Sequence, residues 1–199
     1  MYYSQKYKIQ WGLPARTASR MTREFLTKLE FGEMYGHHTL VNIRCDWDFY
    51  LNIRNPYSSA VSMWIFNSLF DIKNNRKLKS FHEHLSELDN YNYGYPEALI
   101  ACRMLEIFNR KPERLIRYEN FLDDILSVPI IQDNQVLLEK EINRVKQGKK
   151  LWNQDYPVEL KKPYYQFYNE EIANMVYRQR KYEFDTFEYD PNSWMTIID

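Results

Sequence analysis

The sequence predicts an α/β protein built on a mainly parallel sheet. Short runs with strand character, such as IQWGL and DFYLNI, alternate along the chain with segments whose apolar residues recur at helical spacing. No internal repeat and no linker rich in Gly or Ser interrupts that alternation, so one domain is expected over residues 1–199. The composition fits a globular chain: 44% hydrophobic, 27% charged, 5 Gly and 8 Pro. A single domain of this length buries about 70% of the surface its unfolded chain exposes.

The elements follow in order. KYKIQWGL (6–13) alternates and then meets Pro14, which reads as a strand running into a loop. Ser19 is the expected N-cap of the helix RMTREFLTKLEF, whose Met21, Phe25, Leu26 and Leu29 share one face. Gly32 follows where a helix C-terminus favours glycine. LVNIRC (40–45) and DFYLNI (48–53) are the next strands. Pro56 suits a first helical turn and opens the helix YSSAVSMWIFNSLF. The polar stretch KNNRKLKS precedes helices near 80–89 and 96–109. ERLIRYE (113–119) reads as a strand, ENFLDDIL and VLLEKEINRV as helices, and NEEIANMVYRQRKYEFDTF as a closing helix. The intervening QGKKLWNQDYPVELKKPYY has no period and carries two prolines, which predicts a long loop.

Charge and cysteine content narrow the class. Lys+Arg and Asp+Glu balance at 27 each, so no broad basic face is available for nucleic acid and any anion site must be local. Cys45 and Cys102 have neither metal-site spacing nor the number for a disulfide framework, which suits reduced thiols. MYYSQKYKIQW lacks the layout of a signal peptide, and no run approaches the roughly 18 apolar residues of a membrane span. A cytoplasmic protein without a membrane span is expected.

In a parallel sheet, ligands collect beyond the carboxyl ends of the strands. The first such loop is GLPARTASRM. A helix N-terminus there offers unpaired N–H groups and partial positive charge to an anion. Arg16 adds a guanidinium, and Thr17 and Ser19 add hydroxyls. The pattern GxxxxGK[ST] is absent, so this is no Walker A loop. An Arg-Thr-Ala-Ser loop is equally what a capped turn looks like. The second loop adds Arg54 at a strand end and Ser62 eight positions later, two turns into the next helix on the same face as Ser58. Arginine suits bidentate contact with phosphate, and a hydroxyl can donate beside it.

Together the loops resemble the sulfotransferases that use 3′-phosphoadenosine 5′-phosphosulfate (PAPS). That resemblance implies a P-loop-like sulfotransferase fold: three layers, α/β/α, around a central mainly parallel sheet. Arg54-Asn55-Pro56 with Ser62 matches the family's R-[DN]-P-x5-S element, which holds the 3′-phosphate. Pro14 and Arg16-Thr17-Ala18-Ser19 match its P-[KR]-[ST]-G-[ST]-[ST] loop for the 5′-phosphosulfate, with departures. Ala15 is inserted, Ala18 replaces a glycine, and Arg20 stands where a second hydroxyl residue is usual. Met21 falls where several members place a tryptophan against the adenine. IRYENFLDD (116–124) resembles the R-Y-E-D-L segment, which implies that Tyr118 lies near the adenine and that Glu119 is a structural cap. INRVKQGKKLWNQDYP is similar to the late Lys-Gly loop at the 3′-phosphate, implying Lys146, Gly148 and Lys149 as contacts. EEIANMVYRQRKYEFDTFEYD is similar to the closing helix and its terminal F-x-Y-D.

The implied chemistry is transfer of a sulfuryl group from PAPS to an acceptor hydroxyl or amine, releasing adenosine 3′,5′-bisphosphate. Arg16 is the expected electrostatic clamp on the leaving oxygen, with Ser19 beside it. A general base is needed at the acceptor, and His38, then His37, are the first candidates, since an imidazole accepts a proton near neutral pH. Glu33 and Asp46 remain alternatives, and His82 and His84 could border the acceptor site. No metal is required. Tyr91, Tyr93 and Tyr95 could wall a small-molecule or carbohydrate acceptor, or simply pack a loop. A degenerate member that binds the nucleotide, or a partner, without turnover is the other reading. A magnesium-dependent phosphotransferase would need a carboxylate beside a phosphate loop, and none is identifiable in the sequence.

Overall fold

The computed structural model of the chain describes residues 1–34, 44, 46–90, 101–102, 104–106, 109–147, 157 and 160–195. The chain divides into two compact units, Met1–Arg54 with Arg103–Asn153, and Asn55–Cys102 with Gln154–Asp199. The first holds a sheet and the second is helical.

Among the described residues the sheet has strands β1 (Tyr2–Ser4), β2 (Ile9–Gly12), β3 (Glu33–Met34), β4 (Asp48–Ile53) and β5 (Arg114–Arg117). Their order across the sheet is β3-β1-β2-β4-β5. β2, β4 and β5 are parallel, with Trp11 opposite Tyr50 and Ile53 opposite Arg117. β1 runs antiparallel to both β2 and β3. The protein is therefore α/β, but the sheet is mixed rather than mainly parallel. The cause is local. Ser4 pairs with Ile9, leaving four residues between the strands, and so short a connection allows only antiparallel pairing. Lys8 turns the corner at φ 54.

Both faces of β4 are buried, as the centre of an α/β sheet requires. Tyr50 joins Trp11, Ile116 and the helices α1 (Ser19–Lys28), α4 (Phe121–Leu126), α5 (Pro129–Gln132) and α6 (Glu139–Lys146) in one core. On the opposite face Phe49, Leu51 and Ile53 are buried. Gly12 lies so close to Leu51 and Met104 that a Cβ there would come within 2.8 Å of each. α5 was not visible as a separate period in the sequence. α6 starts three residues later than VLLEKEINRV suggests, because Leu138 is its buried N-cap and Val136 is fully in solvent.

Two helix-end expectations are corrected. Ala18, not Ser19, is the N-cap of α1, and Ser19 is its first helical residue. At the other end the left-handed position belongs to Glu30, at φ 47, rather than to Gly32. The N–H of Phe31 bonds back to Leu26 O and that of Glu30 to Thr27 O, the paired bonds of a Schellman ending. Gly32 serves a different need: a Cβ there would overlap the backbone carbonyl of Tyr3 in β1.

The helical unit contains α2 (Pro56–Lys73), α3 (Phe81–Asn90) and α7 (Glu170–Phe187). Pro56 begins α2 as the sequence predicts. Its core absorbs many of the aromatic residues: Tyr57 packs on Phe184 at 4.9 Å and Trp64 on Phe81 at 5.4 Å, between ring centroids. α7 breaks helical geometry at Arg180. Residues 101–102 and 104–106 are helical, in line with the expected 96–109 helix. LVNIRC, apart from Arg44, and most of the expected long loop lie outside the described residues. No helix among the described residues is long and apolar enough to cross a membrane.

Candidate functional site at the strand ends

The site begins with a buried asparagine. Asn52 is the one polar side chain in an otherwise apolar inner stretch of β4, and it is fully buried. Its Oδ1 accepts the indole N–H of Trp11 at 2.8 Å. Its Nδ2 donates to the carbonyl of Thr17 at 2.8 Å and to the Thr22 hydroxyl at 2.7 Å. One amide thus ties β2, β4, the loop after β2 and the first turns of α1 together. A satisfied buried amide of this kind rigidifies its surroundings, because the alternative is orphaned polar groups.

The loop so held is tight. Arg16 and Ala18 both have left-handed backbones, at φ 64 and φ 59. Glycine would take that conformation without strain, whereas each L-residue costs about 1–2 kcal/mol there. The hydroxyl of Thr17 donates to Pro14 O at 2.7 Å, closing the loop on itself. Its single proton is therefore committed to the loop in this conformation, and Thr17 contributes shape more than a free donor.

α1 leaves this loop with no side-chain cap and no acidic residue in its first turn. α2 differs: the Asn55 side chain accepts from the N–H groups of Tyr57 and Ser58. α7 is capped likewise by Asn169. The N-terminal charge of α2 is thus answered by its own cap, whereas α1 has no such side-chain cap among the described residues, an arrangement that favours an anion. Arg16 is half-buried and Arg20 is exposed, with a long 3.8 Å ion pair to Glu24. Ser19 is half-buried in the first turn. Met21 is partly buried against the core of the sheet unit, so packing accounts for at least part of that side chain.

Three residues from separate sequence motifs meet at the carboxyl ends of β2, β4 and β5. Arg54, directly after β4, donates through Nη1 to the carbonyl of Arg16 at 3.2 Å. Its guanidinium carbon lies 3.8 Å from the ring centroid of Tyr118, the residue directly after β5. Tyr118 is 39% exposed, so the ring keeps surface for a ligand besides the stacked cation. The turn beneath it is held by Asp124, whose carboxylate accepts from Arg117 N at 2.7 Å and Asn120 Nδ2 at 2.9 Å. Asp124 thus braces the turn that carries Tyr118.

The other expected residues are distributed as follows. Ser62 is half-buried on α2 in the helical unit. Lys146 is exposed in the last turn of α6, where a cation suits the helix dipole. His37, His38, Gly148, Lys149, Tyr91, Tyr93 and Tyr95 lie outside the described residues. Asp46 precedes β4, at the amino end of the parallel strands. Six residues of strand at about 3.3 Å each put it roughly 20 Å from Arg54, too far for a base acting at this loop. Glu33 is on the edge strand β3. His82 faces Glu171 at 3.6 Å on the helical unit. His84 is buried, which lowers its pKa.

No protein-family model, curated protein or solved structure matches the chain. Its chemistry must be read from its own residues.

Asn52, Trp11 and Thr22 are the residues that sequence reasoning passed over. The signal was present. A lone amide among Phe49, Tyr50, Leu51 and Ile53 is costly unless every hydrogen bond is made, so it implies a partner across the sheet.

Proposed function

We propose that the chain is a PAPS-dependent sulfotransferase with a three-layer, P-loop-like fold. It would move a sulfuryl group to a small-molecule or carbohydrate hydroxyl or amine in the cytoplasm. The observation that carries this reading is the meeting of Arg16, Arg54 and Tyr118 at the carboxyl ends of β2, β4 and β5. Three motifs that are far apart in sequence share one end of the sheet.

The residues fit the nucleotide as an anion. The α1 N-terminus lacks a side-chain acceptor, and Arg16 stands in the loop leading to it, which suits a 5′-phosphosulfate. Arg54 suits a 3′-phosphate, since a planar guanidinium binds phosphate through two N–H groups. Tyr118 holds that guanidinium from one side and offers its remaining surface to the adenine. Ser62 is the further donor that the R-N-P-x5-S pattern assigns to the 3′-phosphate.

PAPS, when bound, supplies the sulfuryl group and a leaving phosphate that needs little protonation. The chain's own work is electrostatic and positional. Arg16 and the first amides of α1 favour the negative charge that grows on the leaving oxygen, and they do so without reorganising, because Asn52 fixes the loop. The acceptor's proton goes to a base, for which His38 and then His37 remain the candidates.

A second reading has specific support. The Thr17 hydroxyl is turned onto Pro14 and Met21 packs on the core, as in a binding module that keeps the nucleotide but transfers nothing. The test is release of adenosine 3′,5′-bisphosphate from PAPS with and without an acceptor panel of phenols, sugars and amines. An enzyme releases it only when an acceptor is present. A module shows tight binding and no acceptor-dependent release.

A further inference from the structure

Asn52 holds the loop at the carboxyl end of the parallel strands, and a second buried amide holds a turn at their amino end. Gln10 in β2 is fully buried. Its Nε2 donates to the carbonyl of Arg44 at 2.7 Å, and its Oε1 accepts the N–H of the same residue at 3.2 Å. Both ends of one amide thus grip the backbone of one residue. The turn also closes on itself, because the N–H of Trp47, directly before β4, donates to Arg44 O at 3.2 Å. The carbonyl of Trp47 accepts from Arg110 Nη2. Backbone braced in this way by distant residues keeps its side chains in place.

What the turn presents is a cation on a ring. The guanidinium carbon of Arg44 lies 5.4 Å from the centre of the Trp47 ring, and the Lys8 ammonium lies 5.3 Å from it. Burial raises the pKa of the Tyr3 hydroxyl and the charge of Arg44 works against that rise, so phenol and guanidinium are neighbours. No carboxylate among the described residues forms an ion pair with Arg44. Tyr3, Arg44 and Trp47 line a cavity of about 440 Å³, together with Lys6, Glu30, Phe31 and Glu33. Small-molecule sites occupy roughly 300–1,000 Å³. Glu33 stands opposite Tyr3 in the β1–β3 ladder, so the two side chains share a face. Lys6, held by Tyr7, also feels the charge of Glu30. Every wall of this cavity belongs to the sheet unit.

The lining selects its ligand by exclusion. Its two cations and two carboxylates cancel, so a polyphosphate would be repelled by Glu30 and Glu33. A purely apolar molecule would take water from the charged rim and return no hydrogen bond. A molecule with one carboxylate, one ammonium and an apolar body suits all three parts. Arg44 can take a carboxylate through two in-plane N–H groups, which stacking on Trp47 leaves available. The glutamates suit the ammonium, and the aromatic lining meets the body.

We infer that this cavity binds a free amino acid with a large apolar side chain, its carboxylate on Arg44 and its ammonium at Glu30 and Glu33. The site is distinct from the strand end that carries Arg54 and does not depend on the sulfuryl-transfer reading.

The test is calorimetric titration of the full chain with L-phenylalanine, alongside 3-phenylpropionate, 2-phenylethylamine and glucose. The first two analogues each lack one charge, and glucose is a neutral polyol that the same polar groups could hydrogen-bond. L-Phenylalanine should bind at least about tenfold more tightly than any of the three, because each lacks at least one charge-assisted contact. Arg44, Glu30 and Glu33 are exposed, so their variants should keep the fold, which melting temperatures check. Arg44→Ala and the double variant Glu30→Gln/Glu33→Gln should each weaken L-phenylalanine by about tenfold. No binding by the wild type at about 10 mM, or equal binding of a single-charge analogue or of glucose, overturns the inference. So does an unchanged affinity in either variant, which would place the amino acid elsewhere on the chain.

Discussion

The guanidinium of Arg54 lies 3.8 Å from the centre of the Tyr118 ring while its Nη1 donates to the carbonyl of Arg16. This stack joins the ends of β4 and β5 to the loop after β2. A guanidinium laid on an aromatic face keeps its in-plane N–H groups free to point elsewhere, so stacking orients the cation without using up its donors. Replacing Tyr118 by Ala should therefore weaken binding of adenosine 3′,5′-bisphosphate by about threefold to tenfold. Tyr118→Phe keeps the ring and should bind nearly as the wild type does. Calorimetry on the two variants decides; equal losses would mean that the hydroxyl, not the stack, matters.

Ala18 is strained where glycine would not be. Its φ of 59 lies in the left-handed region at the mouth of α1. Ala18→Gly should raise stability by about 1 kcal/mol, the relief of the backbone outweighing the looser unfolded chain and the lost methyl contact. For a chain of this length that is a gain of about 2–4 °C in melting temperature. A loss of stability would show that the methyl group's packing on the core governs this position.

Asn52→Ala removes the partner of the Trp11 indole, the Thr17 carbonyl and the Thr22 hydroxyl at once. The orphaned groups and the small cavity should cost about 2–4 kcal/mol, read from urea unfolding. The loop should loosen with it, so nucleotide affinity should fall further than it does for a core variant of similar stability cost, such as Leu26→Ala.

The parts that could be read in advance share a feature. β4 was legible to the residue, Asp48–Ile53, because its pattern is closed by Pro56 and by a polar start. The first residue of α2 and the strand at 114–117 were legible for the same reason. Elements set by distant partners were not. β1 has three residues and β3 two, too few for a period, and both exist through pairing with their neighbours. Glycine at 32 mimicked a helix ending because the clash it avoids, with Tyr3, is remote in sequence. Within the site, Arg54 and Tyr118 were identifiable from local motifs, but their contact depends on parallel pairing of β4 with β5. The hold of Gln10 on Arg44 spans 34 positions, and no local pattern announces it.

His84 should make the helical unit sensitive to acid. Burial lowers its pKa below the ordinary value of about 6.5, against the opposing pull of Glu87 and Asp71, with Lys79 adding to the lowering. The unfolded chain then takes up a proton near pH 6.5, before the folded protein does. In that window the unfolded state binds more protons, so stability is full above pH 6.5 and is lost as pH falls through the folded pKa. Melting temperatures from pH 7.5 to 5.5 should drop less steeply in His84→Gln than in the wild type. Parallel slopes would assign the acid sensitivity to other groups.

The measurement closest to the centre is calorimetric titration with adenosine 3′,5′-bisphosphate, ADP and 5′-AMP on the wild type and on Arg54→Ala. The reading of this strand end as a 3′-phosphate site predicts selective binding of the bisphosphate. It also predicts that Arg54→Ala loses more than about 1.5 kcal/mol of it, as befits a charged hydrogen bond, while 5′-AMP is held as before. Equal binding of all three nucleotides, or none at all, would contradict the assignment and turn the search toward a protein partner.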